Sequence, residues 1–133
     1  IYHSTGRIGA MRVQCTWKEK LQFQAEGDGH SIAMDAKSPV GNDSALTPKQ
    51  LVLAGVCGCT AMDVASLLKK HKQPLEAMTV EAEAPTTSGT HPVVFKEVQL
   101  RFRFQGNLDP KVVLESIRLS QTKFCGVSAM LSK

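Results

Sequence analysis

Four cysteines and four histidines are the residues whose types could carry chemistry. The cysteines are Cys15, Cys57, Cys59 and Cys125, and the histidines are scattered at positions 3, 30, 71 and 91. A thiolate is a nucleophile or a metal ligand, whereas a protonated buried thiol behaves as a small hydrophobe. Spacing helps to separate these roles. Cys57 and Cys59 lie two apart in a stretch that reads as helix, so they project about 200° apart. While that helix is intact, they can neither share one metal nor pair with each other. Cys-x-Cys also departs from the usual zinc-ligand spacings. No metal site is expected. Packing is the ordinary role of a single cysteine, and Cys15, alone on a strand, and Cys57 take it. Nothing in the sequence points to secretion, so the cysteines are expected as reduced thiols that are structural or redox-active.

The element that carries Cys57 and Cys59 is the most distinctive in the chain. Residues 47–71 read TPKQLVLAGVCGCTAMDVASLLKKH. Thr47 is a good N-cap, Pro48 fits the first helical position, and Gln50 sits where a capping box wants Glu or Gln. From Leu51 to Leu68 only Thr60, Asp63 and Ser66 interrupt the apolar and small residues. The basic run from Lys69 to Lys72 suits the negative end of the helix dipole, and Pro74 stops the helix. The apolar run is just long enough to cross a membrane, which needs about 20 residues. Asp63 breaks it, Gly and Ala dilute it, and the flanking segments read as amphipathic strands, so a core helix of a soluble, cytoplasmic protein is the expectation.

Before this helix, 11–17 alternates and reads as a strand, 22–25 as a second, and 30–36 as a third, with a hairpin turn at Gly27-Asp28-Gly29. Residues 37–45 are a loop by composition. After the helix, 75–84 alternates cleanly, 85–91 is a turn, and 93–104 is a long strand whose period slips between Phe95 and Val98, as at a bulge. Asp109-Pro110 opens a second helix over 111–120 with Val112, Val113, Leu114 and Ile117 as its apolar residues, and 127–131 forms a short final helix. Strands, helix, strands, helix is an α+β order.

The chain of 133 residues is long enough for one domain with a real core. Residues 11–133 are expected to form it, and 1–10, polar and Gly-rich, read as an added leader or a disordered N-terminus rather than a signal peptide. The balance of 16 basic and 12 acidic residues is mildly basic, with only seven aromatics and no basic stripe among them. Nucleic-acid binding therefore has little support.

Two stretches carry a family resemblance. Residues 48–64, PKQLVLAGVCGCTAMDV, followed by SLLKK, and the distal FCGVSAMLSK from Phe124 resemble the OsmC/Ohr family of osmotically inducible and organic hydroperoxide resistance proteins. The family has one cysteine in a long central helix after a Pro-x-x-Leu opening and a second just before a short helix rich in small residues. Cys59 and Cys125 fall on those positions, and the strand order matches from about Met11 to Lys133. The branch it is closest to reads Gly-Cys-(Ser/Thr)-Ala-(Met/Ile)-Asp-Val in the helix.

The resemblance implies a fold, a site and an activity. The fold is α+β and OsmC-like, with antiparallel strands around a long central helix and two chains intertwined as a homodimer. The small residues Ala54, Gly55, Gly58 and Ala61 suit close helix approach, as they would in any tight core. The activity is thiol-dependent reduction of organic hydroperoxides. Cys59 becomes a sulfenic acid, Cys125 condenses with it to a disulfide, and an external dithiol such as dihydrolipoamide restores both. No resident cofactor, nucleic acid or membrane is implied. The alternative is a protein of this fold that senses oxidation or binds a small ligand without turnover.

The namesake enzymes hold an Arg near the thiolate with a Glu from the start of the central helix. Here Lys49 and Gln50 stand where that Glu would fall. The preceding loop offers Lys37 and no Arg, and Lys lacks the planar fork of Arg. Gln50 and Lys37 are therefore the supporting candidates, with Gln50 also accounted for by the capping box. Asp63, four residues after Cys59, shares its helix face. It would oppose a thiolate by charge, serve as a buried hydrogen-bond partner, or meet the basic helix end. The family closes with a further strand after the last short helix, whereas this sequence ends at Lys133, which would leave a strand edge unpaired.

Overall fold

The computed structural model describes residues 10–85 and 97–121. Cys125, the 127–131 helix, the 85–91 turn beyond Pro85 and most of the slip between Phe95 and Val98 lie outside those residues. The chain divides into two compact units, 1–50 and 51–133.

The first unit is a three-stranded antiparallel meander of β1 (Gln14–Glu19), β2 (Gln22–Gly27) and β3 (His30–Met34), in that order. The first strand starts three residues later than its alternation suggested and runs two further. The β1–β2 turn has Lys20 at φ 46. It is tied by the Trp17 indole N–H, which donates to the Lys20 carbonyl at 2.8 Å. The register shifts between Trp17 and Glu19, an irregularity the alternation did not reveal. The β2–β3 turn is the expected one: Asp28 and Gly29 have φ 50 and 80. Two consecutive positive φ values match the right-handed strand twist, so Gly here serves the hairpin directly. Ala25, paired with Cys15 on one side and Ile32 on the other, is buried at the centre.

β3 ends at Met34 because Asp35 turns inward and gathers the following loop. Its carboxylate is buried and accepts from the Ala36 amide at 2.7 Å, the Ser44 amide at 3.2 Å and the Ser44 hydroxyl at 2.6 Å. Gly41 packs so closely over Asp35 and the Ala36 carbonyl that a Cβ there would overlap both. The Ser44 hydroxyl, with the amides of Ala36, Ser44 and Asn42, holds the Asp35 carboxyl below its ordinary value against the cost of desolvation. A carboxyl depressed in the fold contributes stability that is present above its unfolded value, about pH 4, and is lost as pH falls through the folded value. Asp35→Asn is expected to lower the melting temperature at pH 7 and to flatten its dependence on pH below about 4. Parallel wild-type and variant curves down to pH 2.5 would contradict this role.

The capping box forms as read. The Thr47 N–H donates to Gln50 Oε1 at 2.9 Å, and the Gln50 N–H donates to Thr47 Oγ1 at 3.3 Å. They open α1 (Pro48–Lys70). Its C-terminus is set before Pro74. Lys72, at φ 56, takes the left-handed position usually held by Gly. Its N–H donates to the Lys69 carbonyl at 3.0 Å, and the Gln73 N–H donates to the Leu68 carbonyl at 2.9 Å. These two bonds are a Schellman closure, which satisfies carbonyls the helix would otherwise leave open.

In the second unit, α1 buries the stripe Val56, Thr60, Val64 and Leu68, spaced four apart, while Met62 is 75% exposed. β4 (Ala77–Glu83) and β5 (Gln99–Gln105) pair antiparallel. Met78, Val80, Ala82, Leu100, Phe102 and Phe104 alternate to the half-buried face. On the other face Arg101 bridges Glu81 at 3.3 Å and Glu83 at 3.1 Å. α2 (Pro110–Leu119) is N-capped by Asp109, which accepts from the Lys111 N–H at 3.0 Å. Its buried face differs from the sequence reading. Ser116 and Ser120 are the buried residues, Val112, Val113 and Ile117 are half-buried, and Leu114 is 68% exposed. Small hydroxyl side chains let a helix approach its neighbour closely while still satisfying a polar partner, which aliphatic patterning cannot signal.

Candidate functional site

The two helical cysteines face different surroundings, as the spacing required. Cys57 is half-buried against β4. Desolvation pushes its thiol up, the Ala82 amide donating to the sulfur pulls it down, and the Glu81 charge adds to the rise, for a net upward shift. At neutral pH such a thiol stays protonated and is a poor nucleophile. Iodoacetamide at pH 7.5 is expected to label Cys57 at least about tenfold more slowly than the exposed Cys15. Equal labelling rates by peptide mass spectrometry would contradict the assignment of Cys57 to packing.

Cys59, two residues on, is also half-buried. The helix turn that begins with it carries two polar contacts to the end of α2. Thr60, fully buried, accepts from Gln121 Nε2 at 3.0 Å. Asp63 accepts from the Ser120 hydroxyl at 3.0 Å, and Ser120 is itself fully buried. Asp63 is thus a hydrogen-bond partner, one of its three expected roles. Thr60, Ser120 and Gln121 were not singled out from the sequence. The available signal was the i, i+4 repeat of serines at 116 and 120, at the second half and C-cap of α2.

The supporting candidates lie in the first unit and are engaged locally. Lys37 pairs with Asp43 at 3.1 Å, with both side chains largely exposed. Gln50 uses its side-chain oxygen in the capping box. Cys125 lies outside the described residues. Among the described residues, no group of three or more His, Cys, Asp or Glu could hold a metal ion. By length and composition α1 could cross a membrane, a test that the core helix of a soluble domain also passes. An open depression of about 400 Å³ beside the β2–β3 turn is lined by Arg12, Glu26, Asp28 and His30 among others, and none of the described cysteines lines it.

A long helix bearing a Cys-x-Cys, preceded in the chain by a meander and followed by a β-hairpin and by a second helix whose end meets the turn after Cys59, defines an α+β protein of the OsmC type. The family model described as OsmC-like protein matches residues 41–133. The chain belongs to the OsmC/Ohr family. It is 35% identical over 128 residues to protein YhfA of Escherichia coli K12, covering 92% of this chain and 90% of that one. Its fold is similar to that of a hypothetical protein from Aquifex aeolicus, with a TM-score of 0.83, 22% identity and coverage of 94% and 89%. It also resembles an OsmC-like protein from Mycoplasma pneumoniae, with a TM-score of 0.80, 13% identity and coverage of 92% and 87%.

Proposed function

We propose that the protein is a thiol-dependent peroxidase that reduces organic hydroperoxides, with Cys59 as the peroxidatic nucleophile and Cys125 as the resolving thiol. The Cys59 thiolate attacks one peroxide oxygen, the O–O bond breaks, and the departing alkoxide takes a proton and leaves as alcohol. The Cys125 thiol then attacks the sulfenic sulfur, forming a disulfide and releasing water. An external dithiol, dihydrolipoamide by family resemblance, reduces the disulfide by thiol–disulfide exchange.

The observation that carries this reading is the division of labour on α1. Cys57 faces β4 with its thiol pushed up, whereas Cys59 opens the turn that meets the end of α2. The apolar residues around Cys59 on α1 favour organic peroxides over hydrogen peroxide. The working unit is a cytoplasmic homodimer in which the exposed face of α1, including Val52 and Met62, is covered by the partner. An apolar helix face of this kind needs cover in water.

One observation favours the non-enzymatic alternative. Lys37 is paired with Asp43 and Gln50 is committed to its cap, so neither is held ready for a thiolate. Steady consumption of cumene hydroperoxide with dihydrolipoamide separates the two. Many turnovers per protein support the peroxidase, and a single stoichiometric oxidation supports a sensor.

A further inference from the structure

We propose that the polar hollow beside the β2–β3 turn binds a free basic amino acid, held at its carboxylate by Arg12 and at its ammonium groups by Glu26 and Asp28. The inference does not draw on the cysteines, and its failure would leave the peroxidase reading as it stands.

Strand register builds the floor. Gln14 on β1, Glu26 on β2 and Ser31 on β3 pair across neighbouring strands, so their side chains share one face of the meander. Two strand spacings make this row about 10 Å wide. The rim comes from the hairpin and from the chain before β1. Gly27 pairs with His30, and Asp28 lies in the turn between them. A Cβ on Gly27 would stand 3.2 Å from the Arg12 carbonyl oxygen, so the glycine admits that backbone at close range. Every side chain lining the resulting space is polar, which suits a hydrogen-bonding ligand and disfavours an apolar one.

Opposite charges gather here without closing on one another. Among the described residues, Arg12 has no carboxylate oxygen within 4.0 Å, and neither Glu26 nor Asp28 has a cation within that distance. Elsewhere on the surface Lys37, Arg101 and Arg118 each have an acidic partner. A molecule that carries both charges fills such a gap. The planar fork of Arg matches a carboxylate, and carboxylates accept from ammonium groups. With histidine counted as neutral, one cation faces two anions, so the hollow favours a ligand with one more ammonium than carboxylate. A dibasic amino acid has that balance.

The test titrates the full, ¹⁵N-labelled chain with L-lysine at pH 7 and constant ionic strength and follows its backbone amide resonances. Saturable shifts are expected at Gly27, Gly29 and Ser31, with a dissociation constant of about 1 mM or below. 1,5-Diaminopentane lacks the carboxylate and acetate lacks the amines, so each is expected to bind at least about tenfold more weakly. Nα-acetyl-L-lysine stands for the C-terminal residue of a peptide and is expected to bind at least about fivefold more weakly than L-lysine. Arg12 and Glu26 are exposed, so their substitutions keep the fold. Arg12→Gln is expected to weaken L-lysine to about the level of diaminopentane while leaving diaminopentane unchanged, whereas Glu26→Gln weakens both. Shifts that stay linear to about 20 mM, saturable shifts outside the meander, or unchanged L-lysine binding in Arg12→Gln would overturn the proposal. Acetyl-lysine binding as tightly as L-lysine would overturn the assignment to a free amino acid.

Discussion

Replacing Cys59 with serine is expected to reduce thiol-dependent peroxide consumption by at least on the order of a thousandfold, to the level of buffer and reductant alone. The hydroxyl of serine is nearly isosteric with the thiol, but it does not ionise near neutral pH and its oxygen does not carry the sulfenic oxidation state. The substitution removes the chemistry while changing little of the packing at a half-buried position. Cys57→Ser and Cys15→Ser are the controls. Cys57 sits against Ala82 with its thiol pushed up, and Cys15 is exposed on β1, so neither change is expected to alter turnover by more than about threefold. The measurement is loss of cumene hydroperoxide under saturating dihydrolipoamide. Activity that survived in Cys59→Ser and disappeared in Cys57→Ser would reverse the assignment of the two helical cysteines.

Gly106→Ala is expected to destabilise the protein by roughly 3 kcal/mol, a fall of about 10 °C in melting temperature. Two costs act together. Gly106 has φ 136, in the half of backbone space that side chains rarely adopt, and a Cβ there would overlap the Pro74 carbonyl oxygen. That overlap is with backbone, so no side chain can swing away. The close approach also has a purpose. The Glu76 N–H donates to the Gln105 carbonyl at 2.8 Å, and the Asp109 N–H donates to Gln73 Oε1 at 2.8 Å. These bonds lock the exit of α1 to the exit of β5 and fix where α2 begins. Thermal denaturation followed by circular dichroism reads the effect. A shift below about 2 °C would mean that the 105–109 segment relaxes freely and does not set the start of α2.

Much of this architecture could be read from the residues because local signals agreed with the tertiary outcome. Thr47, Pro48 and Gln50 announce a cap that forms as drawn, Asp28-Gly29 announces a two-residue turn with two positive φ values, and Asp109-Pro110 announces the start of α2. What could not be read depends on contacts between distant parts of the chain. α1 ends at Lys70 and is closed by Lys72, a left-handed lysine with no sequence signal, two residues before the proline that was read as its stop. Aliphatic periodicity placed Leu114 on the core face of α2, whereas Ser116 and Ser120 are the buried residues, Ser120 donating to Asp63 of α1, and Leu114 is exposed. Asp35 reads as one polar residue in an alternating strand, yet it organises the loop as far as Ser44.

The same distinction holds at the candidate site. Helical geometry alone kept Cys57 and Cys59 apart, and the structure places Cys57 against β4. The choice of Cys59 and Cys125 as a pair came from family resemblance, since nothing in their spacing joins them. Thr60, Ser120 and Gln121 were invisible because a buried hydroxyl or amide acquires meaning only from its partner.

The most direct test of the central claim uses the reduced wild-type protein. Cumene hydroperoxide and hydrogen peroxide are added separately, and free thiols are counted over time by mass spectrometry with peptide mapping. The account predicts rapid loss of two thiols to a single Cys59–Cys125 disulfide, faster with the organic peroxide. Thiols that persist for hours, or a disulfide that includes Cys57, would contradict it.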